Sequence, residues 1–267
     1  MTQFVTKQVS IDTVKAYWDA RPCNIRHSTK PVGSKEFFDE VETRKFYVEP
    51  HIPGFAQFPR WKGKCVLEVG CGIGTDTINF ARAGARVTAV DISTESLALA
   101  KKRADVFGLK DRVTFYLADA ERLAETVPVE HYDLVYSFGV IHHTPHPPRA
   151  AAEIRKYMGP ESELRLMVYA KNSWKHIMIE AGFDQPEAQS GCPVAFTYTH
   201  DEVRQDLLRG YEVLSIEQDH IFPFVIEKYI KYEYEIVPWF AAMPREMFRA
   251  LEKNLGWHKL VVARLAR

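Results

Sequence analysis

A doubly wound α/β architecture with a mostly parallel sheet is predicted by three features of residues 61–170. Short β-rich runs alternate with helical stretches, the first run passes straight into glycines, and the second and third end at aspartates. Lys64–Val69 is apolar enough for a parallel strand buried on both faces. Asp76–Ala83 follows as a helix, with Ile78, Phe80 and Ala81 apolar. Arg86–Val90 is the second strand, ending at Asp91. Glu95–Phe107 reads as a helix, because Leu97, Ala98, Ala100, Ala104 and Phe107 recur near helical spacing and Gly108 stops it. Val113–Leu117 is the third strand, ending at Asp119, and Tyr132–Phe138 is the fourth. A helix over Arg149–Tyr157 leads to a fifth strand, Leu164–Tyr169. Strands separated by helices of this length form βαβ units, and right-handed crossovers put the helices on both faces of the sheet.

Composition bounds the function. The chain has 267 residues, with 35 Lys+Arg against 35 Asp+Glu, giving a formal net charge of zero. At roughly 100–200 residues per domain, this length suits one large domain or one domain with a sizeable cap. Zero net charge gives no long-range pull towards phosphate backbones or anionic lipid, so neither nucleic acid nor membrane is an expected partner. No window approaches the ~18 consecutive apolar residues of a membrane span, and Met1–Ser10 lacks a signal-peptide core. Cys23, Cys65, Cys71 and Cys192 form neither a CxxC pair nor a disulfide framework. A cytoplasmic chain with free thiols and no metal is therefore expected.

The chemistry concentrates where the first strand enters Glu68-Val69-Gly70-Cys71-Gly72-Ile73-Gly74-Thr75. Alternate glycines let the backbone turn sharply and let a ligand lie against it, while the following helix offers free N–H groups. Asp91, at the tip of the second strand, is positioned to take both hydroxyls of a ribose. Asp119, at the tip of the third, precedes Ala120 and suits an adenine edge. Either aspartate is also a good helix N-cap, and that reading stays open for each. The three tips converge on the crevice at the carboxyl ends of the strands, where open α/β sheets bind ligands.

The strings VLEVGCGIGTD, VTAVDIS, FYLADAERL and YDLVYSFGVIHHTPHP, in that order, resemble the successive motifs of class I S-adenosylmethionine-dependent methyltransferases. The resemblance covers about residues 60–170. It implies a Rossmann-like sheet of seven strands with an antiparallel last strand, and Tyr211–Gln218 and Leu260–Leu265 fit the two final strands. It implies S-adenosylmethionine as cofactor, with its methionine part over Gly70, Cys71, Gly72 and Gly74, oriented through Glu68. The ribose would lie on Asp91, the adenine by Ile92, Asp119 and Ala120, and the sulfonium beside Ser137–Ile141. Residues 1–60 would then be an N-terminal helical cap and 61–267 the catalytic domain, with a cap insertion at about 220–256. A nicotinamide-dependent dehydrogenase competes poorly, because the third glycine falls one position early for GxGxxG. A non-catalytic cofactor-binding scaffold is the other alternative.

Methyl transfer from a sulfonium needs an aligned acceptor, exclusion of water and, for an acidic or cationic acceptor, a base. His142 and His143, after the fourth strand, are the candidate bases, with loop packing as the other reading. The loop Arg21–Lys35 carries Arg21, Asn24, Arg26, Lys30 and Lys35 without an acid, making it a candidate anion clamp or a solvated surface loop. Tyr17 and Trp18 precede it and are candidates to close over the cofactor. Residues 221–240 hold Phe222, Phe224, Tyr229, Tyr232, Tyr234, Trp239 and Phe240, with Glu227, Glu233 and Glu235 interleaved. This block is a candidate apolar wall beside the sulfur with Glu233 as a second base; a packed helix core or homodimer face is the alternative. The expected partner is a small molecule with one anionic and one apolar end. A prenyl diphosphate methylated at carbon fits that description, as does O- or N-methylation of a carboxylate, amine or phenol. No Asn/Asp-Pro-Pro-aromatic tetrapeptide follows the fourth strand to grip a flipped base.

Overall fold

The computed structural model describes residues 2–3, 9–183 and 191–266. Three helices come first: α1 (Ile11–Ala20), α2 (Lys35–Val48) and α3 (Ile52–Ala56). A two-residue strand, β1 (Thr2–Gln3), precedes them. The central unit then runs β2 (Cys65–Val69), α4 (Thr75–Arg82), β3 (Arg86–Asp91), α5 (Thr94–Val106), β4 (Val113–Leu117), β5 (Tyr132–Phe138), α6 (Pro147–Arg155) and β6 (Met158–Ala170). After it come α7 (Trp174–Glu180), β7 (Phe196–Tyr198), α8 (His200–Glu202) and β8 (Tyr211–Asp219). Three helices, α9 (Ile226–Tyr229), α10 (Pro238–Ala241) and α11 (Arg245–Leu255), separate β8 from β9 (His258–Leu265).

Strands β4, β3, β2, β5 and β6 lie side by side and parallel. β9 adds antiparallel to β6, and β8 antiparallel to β9. This is the expected seven-stranded sheet with an antiparallel last strand. β7 continues it beside Tyr169–Ala170, and β1 pairs with β7. Both faces are covered. Leu67, Val69, Val135, Leu164 and Leu166 pack on one side with Ile154 of α6, and Val66, Ala89, Leu134 and Tyr136 pack on the other with Phe80 of α4. That two-sided burial is why the strands read as continuous apolar runs.

Local chemistry sets the helix starts. Ser10, Ser34 and Ser93 each accept a backbone N–H from the first turn of α1, α2 and α5. The sixth strand departs from expectation, starting at Met158 rather than Leu164. The strand runs through Gly159 and Pro160 because the ladder shifts register between Tyr132 and Leu134, and Ser162 Oγ takes the Gly159 N–H at 2.8 Å. Among the described residues, no helix is long and apolar enough to cross a membrane.

Candidate functional site

The turn after β2 opens into a crevice of about 970 Å³. Its floor is pinned by the neighbouring strand, because Gly70 and Cys71 both donate to the Val90 carbonyl, at 2.7 and 2.9 Å. Gly70, Gly72 and Gly74 all have positive φ, for different reasons. A Cβ on Gly70 would stand 2.2 Å from Val140 Cγ2, and one on Gly74 would press on Ala100 of α5 at 3.1 Å. A Cβ on Gly72 meets nothing within 4 Å, so that face is open to a ligand. Ile92, Ala118, Asp119 and Ala120 form one wall; Ile11, Val14 and Trp18 of α1 form another. Phe138, Gly139, Val140, His143 and Thr144 complete the far side.

Asp91 sits at the rim with both oxygens engaged: Gly72 N–H donates to Oδ2 at 2.7 Å and Ser93 N–H to Oδ1 at 2.8 Å. Burial raises its pKa, and these backbone donors work against that rise. At the deep end, Glu68 is buried and accepts from Thr77 Oγ1 at 2.5 Å. Burial, reinforced by the charge of Asp76, pushes Glu68 up to about 8. Asp76 itself pairs with Lys45 of α2 at 2.8 Å and accepts from the Tyr136 hydroxyl at 3.0 Å. Burial opposes the charge on Lys45, but Asp76 beside it holds its pKa above the ordinary value. Lys45, Asp76 and Tyr136 were not singled out by the sequence. They are 31 and 60 residues apart, so no local pattern marks them.

Among the residues singled out, Glu68, Gly70, Cys71, Gly72, Asp91, Ile92, Asp119, Ala120, Asn24 and His143 line the crevice. Asp119 also accepts from the Glu121 N–H at 2.9 Å, so it caps the short helix after β4 as well. Gly74 does not line the crevice; it starts α4 and lets α5 approach. Ser137 is fully buried and donates to the Val69 carbonyl at 2.9 Å, which ties two strand ends together rather than facing a sulfonium. Tyr17 packs edge-on against Trp18 and hydrogen-bonds Arg21, and it is Trp18 that reaches the crevice.

The candidate bases are corrected more sharply. His142 is fully buried against Tyr169, ring centroids 3.9 Å apart, and neither ring nitrogen has a partner among the described residues. His143 Nδ1 lies 2.9 Å from the Val194 carbonyl and Nε2 3.3 Å from the Tyr169 hydroxyl. Burial holds His142 well below the ordinary histidine pKa and brings His143 down to about 4. His142 is enclosed and off the crevice, whereas His143 lines the crevice and has both ring nitrogens within reach of protein oxygens. Glu233 is exposed and away from the crevice.

The two cap blocks meet each other, and of the two only Cys23 and Asn24 reach the crevice. Arg44 of α2 lies 4.1 Å from the ring centroids of both Tyr229 and Tyr232, and the Tyr232 hydroxyl donates to the Arg26 carbonyl at 2.7 Å. Phe222, Phe224, Tyr229 and Tyr234 form one packed cluster, while Trp239 is exposed. None of Phe222, Tyr229, Tyr232 or Trp239 lines the crevice, and neither do Arg21 and Arg26. Lys35 pairs with Asp39 at 2.6 Å and Lys30 with Glu40 at 3.7 Å. The basic loop lacks acids of its own, but α2 supplies them.

A second, larger cavity of about 1780 Å³ lies under α11, lined among others by Tyr47, His51, Phe55, Ile221, Phe224 and Leu260. Phe138 borders the crevice, and its ring faces His51 at 6.0 Å and His258 at 5.6 Å.

The methyltransferase-domain family matches residues 66–161. A ubiquinone biosynthesis O-methyltransferase of Dechloromonas aromatica is 31% identical over 163 residues, 60% of this chain and 67% of that protein. One of Photobacterium profundum is 31% identical over 139 residues, 52% of this chain and 55% of that protein. The chain spans between 25% and 67% of the length of the curated relatives it matches. Its fold is similar to magnesium protoporphyrin IX methyltransferase of Synechocystis with bound SAH, with a TM-score of 0.61, 17% identity, and coverage of 96% and 100% of the two chains. It is also similar to geranyl diphosphate C-methyltransferase of Streptomyces coelicolor, with a TM-score of 0.62, 11% identity, and coverage of 97% and 99%. A glycine cradle open only at Gly72, an aspartate at the next strand tip and these relatives agree: the chain belongs to the class I S-adenosylmethionine-dependent methyltransferases.

Proposed function

We propose that the protein methylates a hydroxyl oxygen of a small-molecule acceptor held beside Phe138, at the carboxyl edge of the sheet. The observation that carries this reading is the crevice at Gly72, where backbone, Asp91 and an open face converge. S-adenosylmethionine supplies an electrophilic methyl group on a sulfonium. The chain's own residues supply position. The strand-tip carboxylate of Asp91 takes the ribose, the Gly70–Gly72 backbone takes the methionine part, and Ile92 and Ala120 bracket the adenine. Trp18 and α1 cover the crevice and exclude water, which strengthens every polar contact inside it. Holding acceptor and methyl group in line is the main source of rate in such a displacement.

Oxygen is favoured as the acceptor atom by the relatives, which are named as O-methyltransferases. The basic loop does not offer a diphosphate its anchor at the crevice, because Lys30 and Lys35 are paired with Glu40 and Asp39 and Arg21 and Arg26 lie off the crevice. The test is release of S-adenosylhomocysteine from S-adenosylmethionine over a panel of phenols, alcohols, amines, carboxylates and prenyl diphosphates. Turnover with phenols or alcohols is expected. Turnover confined to prenyl diphosphates would overturn the choice of oxygen, and failure of S-adenosylhomocysteine to bind would overturn the reading as a whole.

A further inference from the structure

Three histidines from distant parts of the chain meet at the carboxyl edge of the sheet: His51 between α2 and α3, His220 after β8, and His258 at the start of β9. His51 Nε2 lies 3.0 Å from His258 Nδ1, and Glu49 Oε1 lies 3.7 Å from His258 Nε2. The His220 ring stacks on His258, centroids 4.6 Å apart and planes 29° apart.

As mere packing, this cluster is poor. Buried polar atoms are normally hydrogen-bonded, yet His51 Nδ1 is buried without a partner among the described residues. His220 adopts a left-handed backbone, φ 76°, which a bulky side chain rarely takes unless its surroundings hold it there. Here the His220 N–H donates to Asp219 Oδ1 at 2.8 Å, and Asp219 is braced by Arg249 and Lys253 at 3.3 and 3.1 Å.

We propose that Glu49, His51 and His258 form a binding site for a divalent transition metal of the zinc, cobalt or iron class, between the cofactor crevice and the second cavity. Two imidazoles and one carboxylate are a donor set these ions favour over magnesium or calcium. With bonds of about 2.0–2.2 Å, two donors on one ion stand roughly 3–4 Å apart. The His51 Nε2–His258 Nδ1 pair, a hydrogen bond here, already has that spacing, whereas Glu49 faces the opposite His258 nitrogen, Nε2. One donor atom from each of the three residues lies within 4.8 Å of the others, so a turn of the Glu49 side chain closes the set. His220 stacks on His258 and fixes its ring. His51 lines the second cavity, so the remaining coordination position opens there and takes an oxygen donor. That this oxygen belongs to the methyl acceptor rests on the proposed function; the metal site does not. No local pattern marks the site, because the donors are scattered over 210 positions and none falls in a metal-binding spacing.

The test uses the full chain without a polyhistidine tag, dialysed free of metal and titrated with Co²⁺, followed by competition with Zn²⁺. About one Co²⁺ per chain with a visible ligand-field band is expected. Glu49→Gln and His51→Gln should each weaken Zn²⁺ binding by about tenfold or more. Both variants should keep wild-type melting and S-adenosylhomocysteine binding, which shows that they fold. Absence of a band, or equal metal affinity in the variants, overturns the site. If S-adenosylhomocysteine binds while Co²⁺ does not, the metal site alone falls; if Co²⁺ binds while S-adenosylhomocysteine does not, the methyltransferase reading falls instead.

Discussion

Gly70 and Gly72 are two positions apart, both with positive φ, and they answer to different neighbours. An alanine at Gly70 drives a methyl group into Val140 and breaks the approach of the loop to Val90. Overpacking of this kind costs about 1–3 kcal/mol, on top of about 1–2 kcal/mol for the left-handed backbone. Gly70→Ala is therefore expected to lower stability in chemical denaturation by roughly 2–5 kcal/mol. Gly72→Ala meets no protein atom and carries only the backbone cost of about 1–2 kcal/mol. It should remain folded but bind S-adenosylhomocysteine at least tenfold more weakly by calorimetry, because the methyl group occupies the ligand's side of the loop. Equal cofactor affinity in Gly72→Ala and wild type would remove the cradle from the site. The glycine spacing was legible in the sequence. Which glycine serves the ligand and which serves packing was not, because that is decided by Val140 and Ala100, far along the chain.

At the scale of elements, α2 is the joint between the cap and the sheet. Arg103 of α5 is fully buried and donates to Thr75 Oγ1 at 2.6 Å, the Phe38 carbonyl at 3.1 Å and Glu42 Oε2 at 2.9 Å, tying α5, α4 and α2 together. Burial lowers its pKa to about 10, with Glu42 opposing the shift. Removing Glu42 leaves a buried cation short of its counter-charge, which typically costs about 3–5 kcal/mol. Glu42→Ala is expected near the lower end of that range, since the Glu42 side chain is 20% exposed. Glu42→Ala combined with Arg103→Met should recover part of the loss, and strictly additive losses would contradict the coupling. The strands and helices of residues 61–170 could be read from the sequence because their signals are local: apolar runs, helical spacing, a terminal glycine. The aromatic block was visible too, but its partner was not. Arg44 contacts Tyr229 from 185 positions away, so periodicity shows a face and never what covers it. The same distance hid Lys45 from Asp76 and made His142 look available when it is enclosed.

For the whole molecule, zero net charge means that global repulsion adds little near neutrality, and pH dependence falls to individual buried groups. Two sets oppose each other. His143 faces the Val194 carbonyl, the Tyr169 hydroxyl, Cys192 and the charge of Lys175, and titrates at about 4; His142, between His143 and Tyr169, titrates lower still. Their folded pKa values lie below the unfolded value of about 6.5, so the unfolded chain takes up protons that the native chain refuses. Stability from them is complete above about pH 6.5 and falls as the pH drops towards 4. Glu68, facing Asp76, Thr77, Lys45 and Asp91, has the opposite sign. Its folded pKa of about 8 lies above the unfolded value, so the native state holds a proton the unfolded chain has lost, and stability rises as the pH falls through 8. His51, His220 and His258 are pushed down by burial in the same way as His142 and His143, so five histidines stand against one carboxyl, each group worth at most about 1.4 kcal/mol per pH unit. Glu68 dominates near pH 8 and the histidines dominate below about pH 7, so stability of the ligand-free protein should peak near pH 7 in a denaturation series from pH 5 to 8.5. Glu68→Gln should flatten the alkaline limb, and His143→Gln should make the acid limb shallower. A wild-type curve that climbs steadily from pH 6 to 8 would show that Glu68 is ionised in the folded protein and that burial does not hold its proton.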